Sequence, residues 1–498
     1  MSTVARDVVV RTSPGQVRGL LSDGIATFKG MPYAAPPFGR NRFLAPQRVE
    51  PWPGVREAVD HGPVALQAPY PPPFYALLGD QGRPGEECLN LNVWTPDPTA
   101  DAHLPVMVWI PGGAFARGAG SLPVYDGSRF ARHGVVCVTI NYRLGADGFL
   151  YLDRATSNRG LLDQVAALTW VRDNIAAFGG DPTNVTVFGE SAGAFSIGSL
   201  IAMPSAQGLF RRVILQSGAA HHSISMQTGR TILSLLAGAL GIEPTAAAMA
   251  AVPLDQLVGE QTRLAAELAL KPDPARWGEV AANGMLFEPI VDGEVLPGRP
   301  IERIETGSSL GLDILIGTTT EEWRFFMVPT GVIDQVSEQQ LTLGAAARGL
   351  RQETLADYRS SRPGASPGDL LSAVVTDWFF RIPAIRLAEA HHHAGGNPFM
   401  YEFAWRSPLF DGKLGACHAL EIPFVFDHLE LSRMTGDRPP QVLADAMHRA
   451  WIAFATGGNP GWPPYNPGDR VVMHFDDDGG TLEPNPQAAE RRLWDGVR

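Results

Sequence analysis

From about residue 105 onward the chain alternates short β-branched runs with helical patterns, the runs falling at 105–110, 135–142, 185–188, 213–216, 313–316 and 399–404. Strands that pair in parallel need a crossover of a dozen or more residues between them, normally a helix. The rhythm therefore predicts an α/β fold with a central, mostly parallel sheet flanked by helices. Residues 219–312 are too long for one crossover and hold amphipathic stretches at 231–240 and 257–268. With residues 327–395 they read as large helical insertions packed over the sheet's C-terminal edge, where α/β folds place ligands. A proline-rich stretch at 69–73 marks residues 66–86 as a loop or lid. The whole of 1–498 is expected as one domain, since large α/β enzymes often exceed the usual length for a single unit.

Within this frame residues 185–193, VTVFGESAG, supply a strand and then Gly189-Glu190-Ser191-Ala192-Gly193, followed by a small-residue helical stretch. This is the strand–turn–helix context of a nucleophile elbow, in which a strained serine projects its hydroxyl beyond the sheet. The same five-residue pattern recurs at Gly307–Gly311, where it follows a polar stretch and precedes a strand. Ser309 therefore reads as loop and Ser191 as the nucleophile.

The longer segment 178–193, FGGDPTNVTVFGESAG, resembles the serine signature of the type-B carboxylesterase family of the α/β-hydrolase superfamily, which holds bacterial p-nitrobenzyl esterases and the cholinesterases. A second segment, Glu86-Glu87-Cys88-Leu89, resembles another signature of that family with Glu87 in place of the usual Asp. Further similar segments lie at 28–34, 141–145, 160–164 and 291–297, in matching order, so the resemblance covers nearly the whole chain. It implies the α/β-hydrolase fold and structural ion pairs of Arg42 with Glu86 and of Arg143 with Asp163.

The resemblance also implies the remaining machinery. Pro111-Gly112-Gly113-Ala114-Phe115 follows the strand at 105–110, and its family counterpart donates N–H groups of Gly113 and Ala114, with that of Ala192, to an oxyanion. Pro111 stands where many members have His. Of twelve histidines, His418 lies in GACHALEIPF, a loop expected after the last strand, and the segment resembles the family's catalytic-histidine loop. His391-His392-His393 reads instead as a helix end, because consecutive helical residues point about 100° apart. In Gly317-Thr318-Thr319-Thr320-Glu321-Glu322-Trp323 the family pattern puts the catalytic acid on Glu322, with Glu321 the runner-up and Trp323 replacing a Gly. Glu190 and Ser217 are supporting residues by the same pattern.

Phe74, Tyr75, Phe115, Phe195, Phe287, Trp323, Phe325 and Phe326 are candidates for an apolar pocket. Phe115 and Phe195 lead because they adjoin catalytic loops, and Trp323 because it adjoins the acid. Such a pocket suits a small-molecule ester with a short-to-medium acyl chain or an aromatic group. The same groups also serve an amidase or carbamate hydrolase, and the triad requires no metal or organic cofactor. A net charge of −12 argues against nucleic acid as a partner, which needs a basic surface. No apolar run is long enough to span a membrane or serve as an export signal, and three scattered cysteines form no disulfide framework. A cytoplasmic monomer or weak homo-oligomer is the expectation.

Overall fold

A strand that is apolar on both faces belongs inside a sheet covered from both sides. Val106, Met107, Val108, Trp109 and Ile110 are fully inaccessible, as are Val136, Cys137 and Val138 beside them. The computed structural model describes residues 5–498. Its strands are β1 Arg6–Arg11, β2 Gln16–Ser22, β3 Ile25–Pro32, β4 Val55–Glu57, β5 Asn90–Thr95, β6 Leu104–Ile110, β7 Val136–Ile140, β8 Gly180–Glu190, β9 Arg212–Gln216, β10 Ile224–Ser225, β11 Ile290–Val291, β12 Asp313–Thr319, β13 Phe399–Phe403, β14 Val471–Asp476 and β15 Gly479–Pro484. The main sheet runs β1-β2-β3-β5-β7-β6-β8-β9-β12-β13-β14-β15, with β4 against β2, while β10 and β11 pair separately.

From β7 to β14 the neighbours are parallel. Antiparallel strands extend both ends, β1, β2, β3 and β5 on one side and β15 on the other, with β4 parallel to β2. All six runs expected from the sequence are strands of the parallel region. Of the flanking antiparallel strands, β1 and β15 escape that reading because they are exposed along much of their length, and β2 because polar residues interrupt its apolar ones. One expectation changes with them: β13 is not the last strand, since β14 and β15 follow the His418 loop.

Between β7 and β8 sits β6, so the chain goes one way along the sheet from β6 and then back the other way. Ligands of open α/β sheets bind in the crevice at such a reversal, beyond the strands' C-terminal ends. Ile110 at the end of β6 pairs with Gly189 near the end of β8, which brings the loop after β6 beside Ser191.

Helices Met226–Leu240 and Leu254–Leu270 fill much of 219–312, together with the small β10–β11 pair. Residues 327–395 include helices Glu338–Ala346, Pro367–Thr376 and Ile382–His393. The last two are joined by a π turn, Asp377–Arg381, held by the Asp377–Arg381 ion pair at 2.6 Å and by the Tyr358 hydroxyl donating to Asp377. The three histidines do close a helix, and His391 Nδ1 lies 2.7 Å from the buried Ser309 Oγ, which gives the decoy serine a structural contact.

Arg143 is buried and donates to Asp163 through Nε (2.8 Å) and Nη2 (2.7 Å), as the resemblance implies. The other implied pair is corrected. Arg42 Nε binds Asp147 at 2.9 Å and its Nη1 donates to the Ala250 and Val252 carbonyls, whereas Glu86 is exposed and Glu87 pairs with Arg56. The guanidinium is drawn inward by carbonyls of the 219–312 segment, out of reach of the surface acid.

Candidate active site

Strand β8 ends at Glu190 and helix Ala192–Ala202 begins one residue later. Ser191 between them has φ 56° and ψ −123°, a conformation that costs a non-glycine residue on the order of 1–3 kcal/mol. Two backbone bonds hold it: the Ser191 N–H donates to the Gln216 carbonyl (3.0 Å), and the Phe195 N–H to that of Ser191 (2.8 Å). A Cβ on Gly193 would stand 2.0 Å from the Ile110 carbonyl oxygen, and one on Gly189 2.7 Å from the same atom. The sharp turn thus exists only because both flanking residues lack side chains.

The loop after β6 turns through positive φ at Gly113 (120°), Ala114 (53°) and Phe115 (57°). The Gly113 carbonyl accepts from the N–H groups of Ala116 and Arg117, while the N–H groups of Gly113 and Ala114 donate to no carbonyl among the described residues. Gly112 packs so closely that a Cβ there would lie 3.1 Å from that of Ser191. Pro111, without an N–H of its own, is fastened through its carbonyl to the Tyr142 hydroxyl at 2.9 Å. Phe115, expected in the pocket, is corrected: its ring is fully buried against Phe149, centroids 4.7 Å apart, beneath the loop instead of facing the cavity. The positive φ at residues 114 and 115 turns this side chain into the core.

His418 is buried between two carboxylates. Nδ1 lies 2.6 Å from Glu322 Oε2, and Glu322 Oε1 accepts the Thr319 N–H at 2.8 Å, so the end of β12 orients the acid. The His418 N–H also donates to the Glu322 carbonyl. Glu321 is directed elsewhere, paired with Arg324 and Arg406 and accepting the Ala416 N–H. On the other ring edge Nε2 lies 2.9 Å from Glu190 Oε1, an ion-pair contact not aligned as a hydrogen bond. No hydrogen bond joins Ser191 Oγ to His418 among the described residues. Burial by itself lowers the imidazole pKa, but the charges of Glu190 and Glu322 outweigh it and hold the ring well above the ordinary histidine value. Burial also raises Glu190, only partly offset by the His418 charge.

Glu421, to which the sequence reading gave no role, completes a group of three buried glutamates near His418. Its Oε1 accepts from Gln216 Nε2 at 3.1 Å, and Gln216 in turn accepts from Trp451. Burial first, then the charges of Glu190 and Glu322, push it up to about 8. The available signal was a lone carboxylate three residues after His418 inside an apolar ALEIPF run. Ser217, at the end of β9, has φ 49° and donates its N–H to the Gly317 carbonyl, while its buried Oγ has no partner.

Ser191 and His418 open into a cavity of about 790 Å³, within the range of small-molecule sites. Phe74, Phe195, Trp323, Phe325 and Phe326 line it, whereas Tyr75 is exposed and Phe287 is in the core. Trp323 packs at a tilt against Phe326 at 4.6 Å and adjoins Phe379 at 5.3 Å, so this tryptophan beside Glu322 builds part of an aromatic wall. Phe379 and Phe380, two consecutive residues of the π turn, also line the cavity and were not foreseen. The 66–86 segment folds partly as a short helix, Pro72–Leu78, and contributes Tyr70, Leu77 and Asp80 to the rim.

Residues 6–494 match the model of the carboxylesterase family. This chain belongs to that family. The carboxylesterase is 40% identical to the para-nitrobenzyl esterase of Bacillus subtilis, over 97% of this chain and 98% of that protein. It is 36% identical to the phenmedipham hydrolase of Pseudarthrobacter oxydans, over 95% and 96%. A solved Geobacillus stearothermophilus carboxylesterase superposes with a TM-score of 0.85 at 36% identity, covering 98% of this chain and 99% of that one. A solved PNB esterase gives 0.82 at 38%, covering 97% and 99%. The fold is therefore the α/β-hydrolase fold, and the chain is a carboxylic-ester hydrolase.

Proposed function

We propose that this carboxylesterase cleaves esters through an acyl-enzyme formed on Ser191, with His418 as general base and Glu322 as the acid that orients it. The observation that carries the reading is the His418 imidazole, clamped at Nδ1 by Glu322 at 2.6 Å, in the same cavity as the strained Ser191. When an ester enters, Nε2 leaves Glu190 for Ser191 Oγ; catalytic hydrogen bonds are often long without substrate and tighten in the complex. The serine attacks the carbonyl, His418 takes its proton, and the N–H groups of Gly113, Ala114 and Ala192 hold the oxyanion. His418 then protonates the departing alcohol and activates water to release the acid. Glu190 and Glu421 set the charge around His418, and Ser217 supports the loop beside it.

The aromatic lining favours short-to-medium acyl chains or aromatic esters. Ser191→Ala should abolish hydrolysis of p-nitrophenyl butyrate, and a fluorophosphonate probe should label Ser191 in the unmodified enzyme. More than a few per cent of residual turnover in the variant would overturn the assignment. The relative named for phenmedipham hydrolysis favours a second reading, amide or carbamate cleavage by the same groups. Comparing kcat/KM for phenmedipham, an anilide and p-nitrophenyl butyrate separates the two.

Residues 1–498 are read as one domain, with 66–86 as a flap and 219–312 and 327–395 as the roof of the pocket. Among the described residues no helix is long and apolar enough to cross a membrane, and all three cysteines are free and buried. Free thiols suit a reducing compartment, so we place the enzyme in a bacterial cytoplasm, as a monomer or weak homo-oligomer.

A further inference from the structure

Arg348 borders the cavity that holds Ser191, and its charge has no counterpart. Its Nη1 donates to the Gly344 carbonyl at 2.9 Å, while Nε is buried without a partner. The guanidinium lies over the Trp378 ring, 5.5 Å from its centroid, and Arg498 lies over the same ring at 4.2 Å. Among the described residues no carboxylate comes within ion-pair distance of Arg348. Burial alone drags its pKa down to about 10, with no acid to restore it.

Neither carboxylate bordering the cavity pairs with Arg348. Glu190 faces His418, and Asp80 is exposed at the rim, where it accepts the Gly82 N–H. Glu288, behind the cavity residue Asn283, accepts its amide at 2.7 Å and is pushed by burial up to about 8, so it is chiefly the neutral acid at pH 7. The cavity's two other guanidiniums, Arg117 and Arg433, are also without acidic partners among the described residues; they donate to the Ala68 and Ala76 carbonyls on the flap segment. A desolvated cation without a counter-charge is costly in a folded protein, and bringing an anion to it recovers that cost.

We infer that this cavity is built for esters carrying a negatively charged group, a carboxylate, remote from the reacting carbonyl, and that Arg348 is its specificity-determining partner. The inference rests on the reading of Ser191 as nucleophile. Guanidinium suits the task because it meets a carboxylate through two parallel N–H donors, which a lysine cannot do. The Trp378 ring lies against the cation. The aromatic lining then takes the apolar middle of the substrate, between the ester and its charged end.

The test compares esters matched for chain length and differing only at the far end. One series carries a terminal carboxylate or methyl on the acyl chain, as mono-p-nitrophenyl esters of straight-chain dicarboxylic acids against their monocarboxylic counterparts. A second carries the same pair of ends on the alcohol, followed by pH-stat. The readout is the ratio of kcat/KM for charged over uncharged substrate in each enzyme. Arg348→Met is expected to lower that ratio by about tenfold or more in one series, and Arg348→Lys to keep part of it. Matched circular dichroism and thermal midpoints verify that the variants are folded. An unchanged ratio in both series overturns the inference while leaving the Ser191 reading intact. Failure of the unmodified enzyme to hydrolyse any of these esters overturns the Ser191 reading, and the inference with it.

Discussion

Replacing Glu190 by Gln isolates one charge on His418, the proposed catalytic base. The carboxylate lies 2.9 Å from His418 Nε2. At an effective dielectric of 20 a unit pair at that separation is worth about 6 kcal/mol of Coulomb attraction, against which the burial of both groups counts. An opposite charge so close typically moves a pKa by about 1–3 units, or roughly 1.4–4 kcal/mol. The sign follows from the chemistry: the base must be neutral to accept the Ser191 proton, and the two carboxylates hold it protonated to higher pH than an ordinary histidine. The acidic limb of kcat/KM in the unmodified enzyme should therefore fall above about 6.5, activity rising as the pH rises through it. Glu190→Gln keeps the shape and removes the charge, so the limb should move to lower pH by about 1–3 units. The assay is p-nitrophenyl butyrate hydrolysis across the acid and neutral range, read at the isosbestic wavelength of nitrophenol. A limb that stays in place, or moves up, refutes the claim that Glu190 raises His418.

Gly193→Ala drives a Cβ to 2.0 Å from the Ile110 carbonyl and should cost at least about 1–3 kcal/mol of stability with loss of ester turnover; an unchanged urea midpoint and rate would contradict the elbow packing. Arg143→Met strands Asp163 as a buried, unpaired charge and should cost about 3–5 kcal/mol in chemical denaturation, with a neutral result showing that the pair carries no structural weight. Trp323→Ala opens the wall beside Phe379 and should raise kcat/KM for bulky over short acyl esters by about tenfold, measured on a chain-length series, where an unaltered preference would count against that wall.

Six strands of the parallel region were legible because each carries a run of buried, mostly apolar residues with helical chain before the next, whereas β14, VVMHFD, is only partly buried and went unread. β1 and β2 gave no such signal, since an antiparallel edge needs only one apolar face and RDVVVR or QVRGLLS serves. Ser191 and Glu322 were each marked by a local sequence pattern just beyond a strand, and His418 by the pattern of its loop. Arg42 was misassigned because its partner is settled by where the 219–312 segment docks, a tertiary event with no local trace. The same holds for Phe115, whose neighbours in sequence face the cavity while its own side chain turns inward, and for Arg348, Phe379 and Phe380, which reach the pocket from far along the chain.

The π turn at Asp377–Arg381 holds one residue more than a regular helix would need over the same rise, and its Phe379 and Phe380 both line the cavity. A single-codon deletion there would restore regular α-helix and rotate one side of the joint against the other by about 100°. The residues presented to the substrate would be re-indexed in one step, while β8, β12 and the His418 loop stayed as they are. The substrate-facing wall can thus drift in evolution on a different clock from the chemistry it encloses.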